Sequence, residues 1–373
     1  MKQTWIALLG RCDKPTDAVE DYCRFLSDAL RQVQIELHIE RFARDHRFRA
    51  GISDLRNRAD AWRGNWVLVQ YTALAWSARG FPSRFTSVLK CLRDSGARVA
   101  VVYHDVEPYG GGRLIDRVRR AVQVRTMRQA SGIADLAIVT VPTSQISWMK
   151  AQALARTAFI PVGANLPVPF TMSERTSADM DRAANRKTVA VFGVTGAETG
   201  RKEAAEIAAT LRIAAKRVGP LRLVVLGRHS EDVEPQIRDE LRDTEVDVTV
   251  LGLLNGEQVV HELSAADVLL FLRGAISSRR SSAIAGIACG LPVVATSGSE
   301  TAPPITSAGI ALFSKEEKDE PGATLARVLG DDGYRAELAA KSRRAYNEYF
   351  SWSAIAKQYV DALFENDVPE RKF

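Results

Sequence analysis

Residues 276–282 read Ile-Ser-Ser-Arg-Arg-Ser-Ser, two adjacent guanidinium groups among hydroxyls. They stand directly before AIAGIACG, a small-residue run that predicts a helix, and LPVVAT, which predicts a strand. A helix N-terminus carries unpaired N–H groups and about half a positive charge. Arginine can fork onto phosphate oxygens as lysine cannot, so Arg279 and Arg280 form a seat for a phosphate or pyrophosphate, with Ser277, Ser278, Ser281 and Ser282 as extra hydroxyl donors. No carboxylate stands in this stretch to claim either arginine. The pattern occurs twice more: Arg201 and Lys202 follow the apolar run TVAVFGV, and Arg228 follows LRLVVLG. Each basic group sits where a strand ends and a helix is expected, so all are expected at one edge of one sheet.

Other chemistries lack their residues. There is no GxGxxG fingerprint, and GVTGAETGRK (193–202) ends in Gly-Arg-Lys rather than the Gly-Lys-Ser/Thr of a P-loop. No GxSxG elbow exists, the five histidines have no metal spacing, and the one Asp-x-Asp, Asp179 with Asp181, lies outside the strand ends. Hydride transfer, P-loop hydrolysis, serine hydrolysis and metal chemistry are therefore disfavoured, and no metal or cofactor is expected.

The elements that must position these residues alternate. WIALLG, IELHIERF, WVLVQYTAL (66–74), ARVAVVYHD (97–105) and ADLAIVTV (134–141) are short apolar runs separated by amphipathic stretches, the first of them 17–34. Such alternation predicts a parallel sheet covered on both faces. After a stretch rich in Pro, Ser, Thr and charge, the alternation restarts with TVAVFGV, LRLVVLG, VDVTVLG, ADVLLFL and ALFS, with a helix from about Arg201 to Val218 after the first. The expected architecture is α/β: two Rossmann-like, doubly wound domains, 1–165 and 188–350, joined by a linker at 166–187 and facing a central cleft that takes the ligand. A final amphipathic segment, FSWSAIAKQYVDALF, predicts a helix within 351–373 that packs back on the first domain.

The length of 373 residues suits two domains. No run of about 18 apolar residues exists to span a membrane, and the opening MKQTWIALLGRC is too short in its apolar part for a secretory signal, so a cytoplasmic protein is expected. Four cysteines without CxxC or zinc spacing read as reduced structural thiols. The net charge of +6 favours an anionic partner, but the arginines gather at strand ends rather than along an aromatic-interleaved groove, which argues against nucleic acid.

IAGIACGLPVVAT resembles the E-A-M-A-C-G-x-P-V-V-A segment of the retaining, nucleotide-sugar-dependent glycosyltransferases of the GT-B fold, the group 1 or family 4 class. LGLLNGEQVVHELSAADVLLFL, IPVGANLP and FSWSAIAKQYVDAL are similar to further blocks of that class, and ARVAVVYHD and PTDAVEDYCRFLSDAL are more loosely so. The departure is specific. The class carries two glutamates eight positions apart, and here those positions hold Ser277 and Ala285. Either the S-x-R-R-x-S cluster replaces them in a divergent subgroup, or the chain is a non-catalytic GT-B protein that binds a nucleotide sugar or partners an active enzyme.

The resemblance implies transfer of a sugar, with retention, from a nucleotide diphosphate donor that enters as substrate. In such enzymes the departing diphosphate takes the acceptor proton, so the protein's task is to neutralise the leaving group and place two substrates. It makes His104, Arg279 and Arg280 the catalytic candidates. On the donor side stand Gly10, Arg201, Lys202, Arg228, Gly252, Leu253 and Ser277, Ser278, Ser281 and Ser282; on the acceptor side Thr16, Asp17, Tyr71, Trp76 and Arg79. The acceptor is left open between a lipid-linked compound and a saccharide. The basic stretch 113–129, RLIDRVRRAVQVRTMRQ, has the pattern of a helix that rests on an anionic membrane, and equally that of a solvated helix face.

Overall fold

A computed structural model describes residues 3–13, 17–42, 48–168, 186–313 and 320–365. Most of the expected linker and the candidate Thr16 lie outside the described residues. The chain divides into two compact units, Met1–Pro161 with Trp352–Phe373, and Val162–Ser351.

The first unit holds a six-stranded parallel sheet: β1 (Gln3–Leu9), β2 (Ile35–Arg41), β3 (Trp66–Tyr71), β4 (Arg98–Tyr103), β5 (Leu136–Val139) and β6 (Thr157–Phe159), in the order β2-β1-β3-β4-β5-β6. Its helices are α1 (Ala18–Gln32), α2 (Phe48–Ala59), α3 (Ala73–Trp76), α4 (Phe85–Asp94), α5 (Leu114–Ile133) and α6 (Ala151–Leu154). β3 is buried throughout, as a central strand covered on both faces must be, so the single polar residue of WVLVQY, Gln70, stands out at 1% exposure.

The second unit holds β7 (Lys187–Phe192), β8 (Leu221–Leu226), β9 (Val246–Gly252), β10 (Val268–Phe271), β11 (Val293–Thr296) and β12 (Ile310–Phe313). All pair in parallel, in the order β12-β11-β10-β7-β8-β9. Its helices are α7 (Ala197–Val218), α8 (Ser230–Leu241), α9 (Gly256–Ala265), α10 (Ser281–Ala288), α11 (Glu320–Gly330) and α12 (Asp332–Ala345). Apolar side chains from β7, β8, β10 and α7 form its core, among them Val189, Ile207, Leu223 and Leu270. The chain then returns to the first unit as α13 (Trp352–Glu365), where Trp352 stacks on Phe25 of α1 at 5.5 Å and the Tyr359 hydroxyl meets that of Tyr22 at 3.0 Å. These two sheets, with helices alternating along the chain, are the GT-B fold.

In each sheet the chain reverses its direction of growth once, between β1 and β3 and between β7 and β10. At such a switch point the loops leaving adjacent strands part to opposite faces and open a crevice at the strand C-termini.

Candidate functional site

In the second unit the crevice lies beyond Phe192 and Phe271. Gly193 leaves β7 with φ +73°, a conformation that disfavours any side chain. The Arg273 guanidinium lies 2.9 Å from where a Gly193 Cβ would stand. Arg280 reaches the same region, its Nη2 3.6 Å from the Cβ position of Gly274. Arg280 Nε is buried and has no hydrogen-bond partner among the described residues. Burial pushes this guanidinium below its usual range, the like charges of Arg279 and Arg273 add to that, and Glu300 opposes it.

The expectation that no carboxylate attends the arginine pair is corrected here. Glu300, 21 positions beyond Arg279 and on the far side of β11, accepts from Arg279 Nε at 2.7 Å and Nη2 at 2.8 Å, with the two side chains 13% and 22% exposed. The loop that carries it is fastened to the arginine loop: Ile276 N–H donates to the Thr296 carbonyl at 2.9 Å, and Thr301 Oγ1 donates to the Ile276 carbonyl at 2.6 Å. Burial acts to raise the Glu300 pKa, but the bonds and charge of Arg279 outweigh it and hold the carboxyl below its usual range. Buried Ser277 Oγ lies close enough to assist, yet makes no hydrogen bond of good geometry. The two arginines therefore differ. Arg279 is a buttress paired with Glu300, whereas Arg280 and Arg273 form no ion pair among the described residues.

The other donor-side candidates scatter along the same sheet edge. α7 starts at Ala197 rather than near Arg201, so Arg201 and Lys202 are exposed on its second turn instead of at the strand-to-helix junction, and Lys202 pairs with Glu198 at 3.5 Å. Glu203, on the same turn, reaches back to that junction with its side chain: one carboxylate oxygen accepts the Thr195 N–H at 3.0 Å, and the other is buried without a hydrogen bond among the described residues. Half-buried Arg228 follows β8, its carbonyl bound by Val194 N–H at 3.0 Å. Gly252 ends β9, and Leu253 beside it is 52% exposed. Ser278 is fully buried, while Ser281 and Ser282 open α10, whose N-terminus no side chain caps. Ala285 lies 1% exposed on that helix.

In the first unit His104 follows β4 and its N–H donates to the Tyr71 carbonyl at 3.1 Å, while its ring packs edge-on against Tyr22 at 5.0 Å. Its Nε2 lies 2.8 Å from Gln70 Oε1. Gln70 donates its amide nitrogen to the Leu68 carbonyl at 3.1 Å, which fixes its oxygen as the acceptor. The His104 proton is thus on Nε2, and Nδ1 is an acceptor. Burial pushes the pKa down to about 4, more than the Asp17 charge raises it, so the ring is neutral near pH 7.

Gly10 follows β1 where an added Cβ would stand 2.5 Å from the Ala75 carbonyl oxygen, and Arg11 N–H donates to that oxygen at 2.8 Å. Asp17 caps α1 through the N–H groups of Val19 and Glu20 and pairs with Arg41 at 2.8 Å. Cys12, Asp17 and Glu20 are the one triad of possible metal ligands among the described residues, but Arg41 already binds both carboxylates. Tyr71 is corrected: as the last residue of β3 it is 0% exposed and packs on Phe85 and Tyr103, with no surface to offer an acceptor. Trp76 donates Nε1 to the Gln70 carbonyl at 2.8 Å and turns its ring to a cavity, whereas Arg79 is exposed, its carbonyl bound by Arg119 at 3.0 Å. Arg273, Glu300 and Glu203 were missed. The strand-end rule that singled out Arg228 would have found Arg273, which follows ADVLLFL directly.

No family model and no curated protein sequence matches the chain. Solved structures do. HepE of Anabaena, in complex with UDP and glucose, is 14% identical with a TM-score of 0.66, covering 97% of this chain and 100% of that one. The sucrose-phosphate synthase of Thermosynechococcus elongatus is 18% identical with a TM-score of 0.64 over 97% and 98%. WaaG, a glycosyltransferase involved in lipopolysaccharide biosynthesis, is 13% identical with a TM-score of 0.64 over 96% and 98%. At these identities the likeness is one of fold.

Proposed function

We propose that the protein is a retaining glycosyltransferase that moves a sugar from a nucleotide diphosphate donor to an acceptor, without a divalent ion and without a resident cofactor. One observation carries the reading: Arg273 beside left-handed Gly193 and Arg280 beside Gly274 stand at a switch point without an ion pair among the described residues, and Arg280 Nε is buried without a partner there. Burying a cation with an unmet donor is costly, and an anion bound there removes the cost. A diphosphate suits two guanidinium groups and the uncapped start of α10. As the glycosidic bond breaks, charge grows on the diphosphate, and donors fixed in advance stabilise that growth. The departing phosphate takes the acceptor proton. His104, uncharged and with its proton on Nε2, then serves as a hydrogen-bond acceptor that orients a hydroxyl rather than as the base.

The reading extends to location. No helix among the described residues is long and apolar enough to cross a membrane. α5 instead presents Leu114, Ile115 and Val118, 79%, 51% and 54% exposed, at its start. On the same helix Arg117, Arg120, Arg125 and Arg128 join Lys150 and Arg156 around a groove of about 890 Å³ with no acidic side chain in its lining among the described residues. An apolar tip followed by arginines favours contact with an anionic bilayer from the cytoplasmic side over a solvated face.

A thermal-shift screen with UDP-, GDP-, ADP- and dTDP-linked sugars, followed by release of nucleoside diphosphate in the presence of acceptors, tests the reading. A stabilising donor that is turned over to free nucleoside diphosphate is the expected result. Binding without turnover would favour the non-catalytic alternative, for which Ala285 and the engagement of Arg279 by Glu300 speak; epimerisation of the donor sugar would replace transfer altogether.

A further inference from the structure

Along one side of α5 the sequence sets arginines in i, i+3 pairs, Arg117 with Arg120 and Arg125 with Arg128, around Ala121 and Val124. Like charges three apart on a helix repel, and Arg117, in the first turn, also opposes the helix dipole. Helix stability therefore does not account for the row. It extends about 16 Å along the helix axis from Arg117 to Arg128. The groove that it borders, about 890 Å³, falls inside the range of about 300–1,000 Å³ usual for small-molecule sites.

The opposite wall, formed by Trp148 to Lys150 and by Arg156, is fixed to the core. Trp148 is 3% exposed, donates Nε1 to the Val106 carbonyl at 2.7 Å and meets Tyr103 edge-on at 5.5 Å. Arg128 Nε donates to the Trp148 carbonyl at 2.7 Å, and Arg156 Nη1 donates to the Ala134 carbonyl at 3.4 Å. A backbone carbonyl thus holds each of these guanidinium groups at one nitrogen, and their other donors are unused among the described residues. No ion pair engages any cation of the groove among those residues. Gly132, in the last turn of α5, lines the same groove, and a Cβ added there would meet nothing within 4 Å.

The groove leads away from the crevice. α5 leaves the strand C-termini at Leu114 and ends at Ile133, just before β5 begins, and Arg156 directly precedes β6. Arg156 therefore stands at the edge of the sheet opposite His104. Cations on two walls call for an anion that faces both. A lone phosphate or carboxylate engages one wall, whereas two phosphates joined by a short link accept guanidinium forks from either side and carry most charge in least volume.

We propose that this groove is a binding site for linked phosphates, separate from the donor seat of the second unit. It goes beyond bilayer contact, because the binding requires no membrane. Titration calorimetry of the full chain with UDP at saturation tests it, at about 150 mM salt, where attraction between exposed charges is screened beyond about 8 Å. Inorganic pyrophosphate binds roughly tenfold or more tightly than inorganic phosphate. Gly132→Glu places a carboxylate in open space in the groove, leaves Tm unchanged and weakens pyrophosphate roughly tenfold or more. Arg125→Lys with Arg156→Lys keeps both charges but loses the forks, and weakens it severalfold. Vesicles of diphosphatidylglycerol and of phosphatidylglycerol at equal charge identify the source: displacement of pyrophosphate by the first alone assigns the phosphates to a lipid headgroup, and displacement by neither assigns them to a soluble anion. Equal displacement by both, pyrophosphate binding no tighter than phosphate, or one affinity for parent and variants overturns the proposal. So does self-association of the chain that Gly132→Glu abolishes, which would give the groove to a second copy. All these substitutions lie in the first unit, so failure of the donor reading leaves the result intact.

Discussion

Substituting the two adjacent arginines one at a time separates two roles that their sequence treats as one. Arg279→Ala strands Glu300, whose side chain is 13% exposed and loses bonds of 2.7 and 2.8 Å. Removing one partner of a fully buried pair costs about 3–5 kcal/mol, and the partial exposure of this pair lowers that to about 2–3 kcal/mol. For a unit of this size that is a fall in Tm of about 4–12 °C. The loss also depends on pH. The Glu300 pKa is lowered in the folded state from its ordinary 4.5, so its contribution is present above pH 4.5 and disappears as pH falls through the folded value; the Arg279→Ala deficit shrinks correspondingly in acid. Arg280→Ala takes away a group that burial and two like charges disfavour, so stability changes by less than about 1 kcal/mol. It removes a charge-assisted contact worth about 1.5–3 kcal/mol, however, and nucleoside diphosphate affinity drops about ten- to a hundredfold. Thermal denaturation followed by circular dichroism and calorimetric titration with UDP measure the two effects. Weakened UDP binding with unchanged Tm in Arg279→Ala, or the converse in Arg280→Ala, would refute the division.

Two further outcomes follow from the first unit. His104 has a folded pKa of about 4 against an ordinary 6.5, so its neutral form stabilises the fold above pH 6.5 and that contribution, about 3 kcal/mol at most, is lost as pH falls from 6.5 towards 4. His104→Gln flattens this part of the stability profile, and urea denaturation at pH 7 and pH 4.5 giving the same difference for both proteins would disprove it. Leu114→Glu with Val118→Glu, both at exposed positions, leaves Tm unchanged but abolishes flotation with phosphatidylglycerol vesicles, while neutral vesicles bind neither form; equal flotation of variant and parent would place the contact elsewhere.

The alternation of elements was legible because parallel strands, buried on both faces, must be nearly continuous apolar runs, as WVLVQY and RVAVVY are. Boundaries were less so. Ala197 opens α7 from a left-handed φ of +58°, a conformation no residue-type rule assigns to alanine, and this moves Arg201 and Lys202 away from the phosphate seat that their spacing suggested. Tyr71 looked available because an aromatic near a strand end reads the same whether it is the strand's last core residue or the loop's first, and only the pairing of Tyr71 with Tyr103 decides.

Glu300 was invisible for a different reason. Its contact with Arg279 is made by two loops that leave neighbouring strands of a parallel sheet, and the separation of 21 residues contains a helix and a strand of no fixed length. In a doubly wound sheet every site residue is local to its own strand end and remote from its neighbours along the chain. Sequence motifs therefore report the strand ends one by one and are silent on how charge is shared across them. The arginine pair shows the consequence. Read alone it is two equivalent phosphate ligands; with the adjacent loop in place, one guanidinium is paired and holds the loop, while its neighbour reaches Gly274 after the same strand and feels the like charge of Arg273. Which basic residue is left free for an anion is thus set by the carboxylate that claims the other, and the charge of this edge is a property of β10 and β11 together.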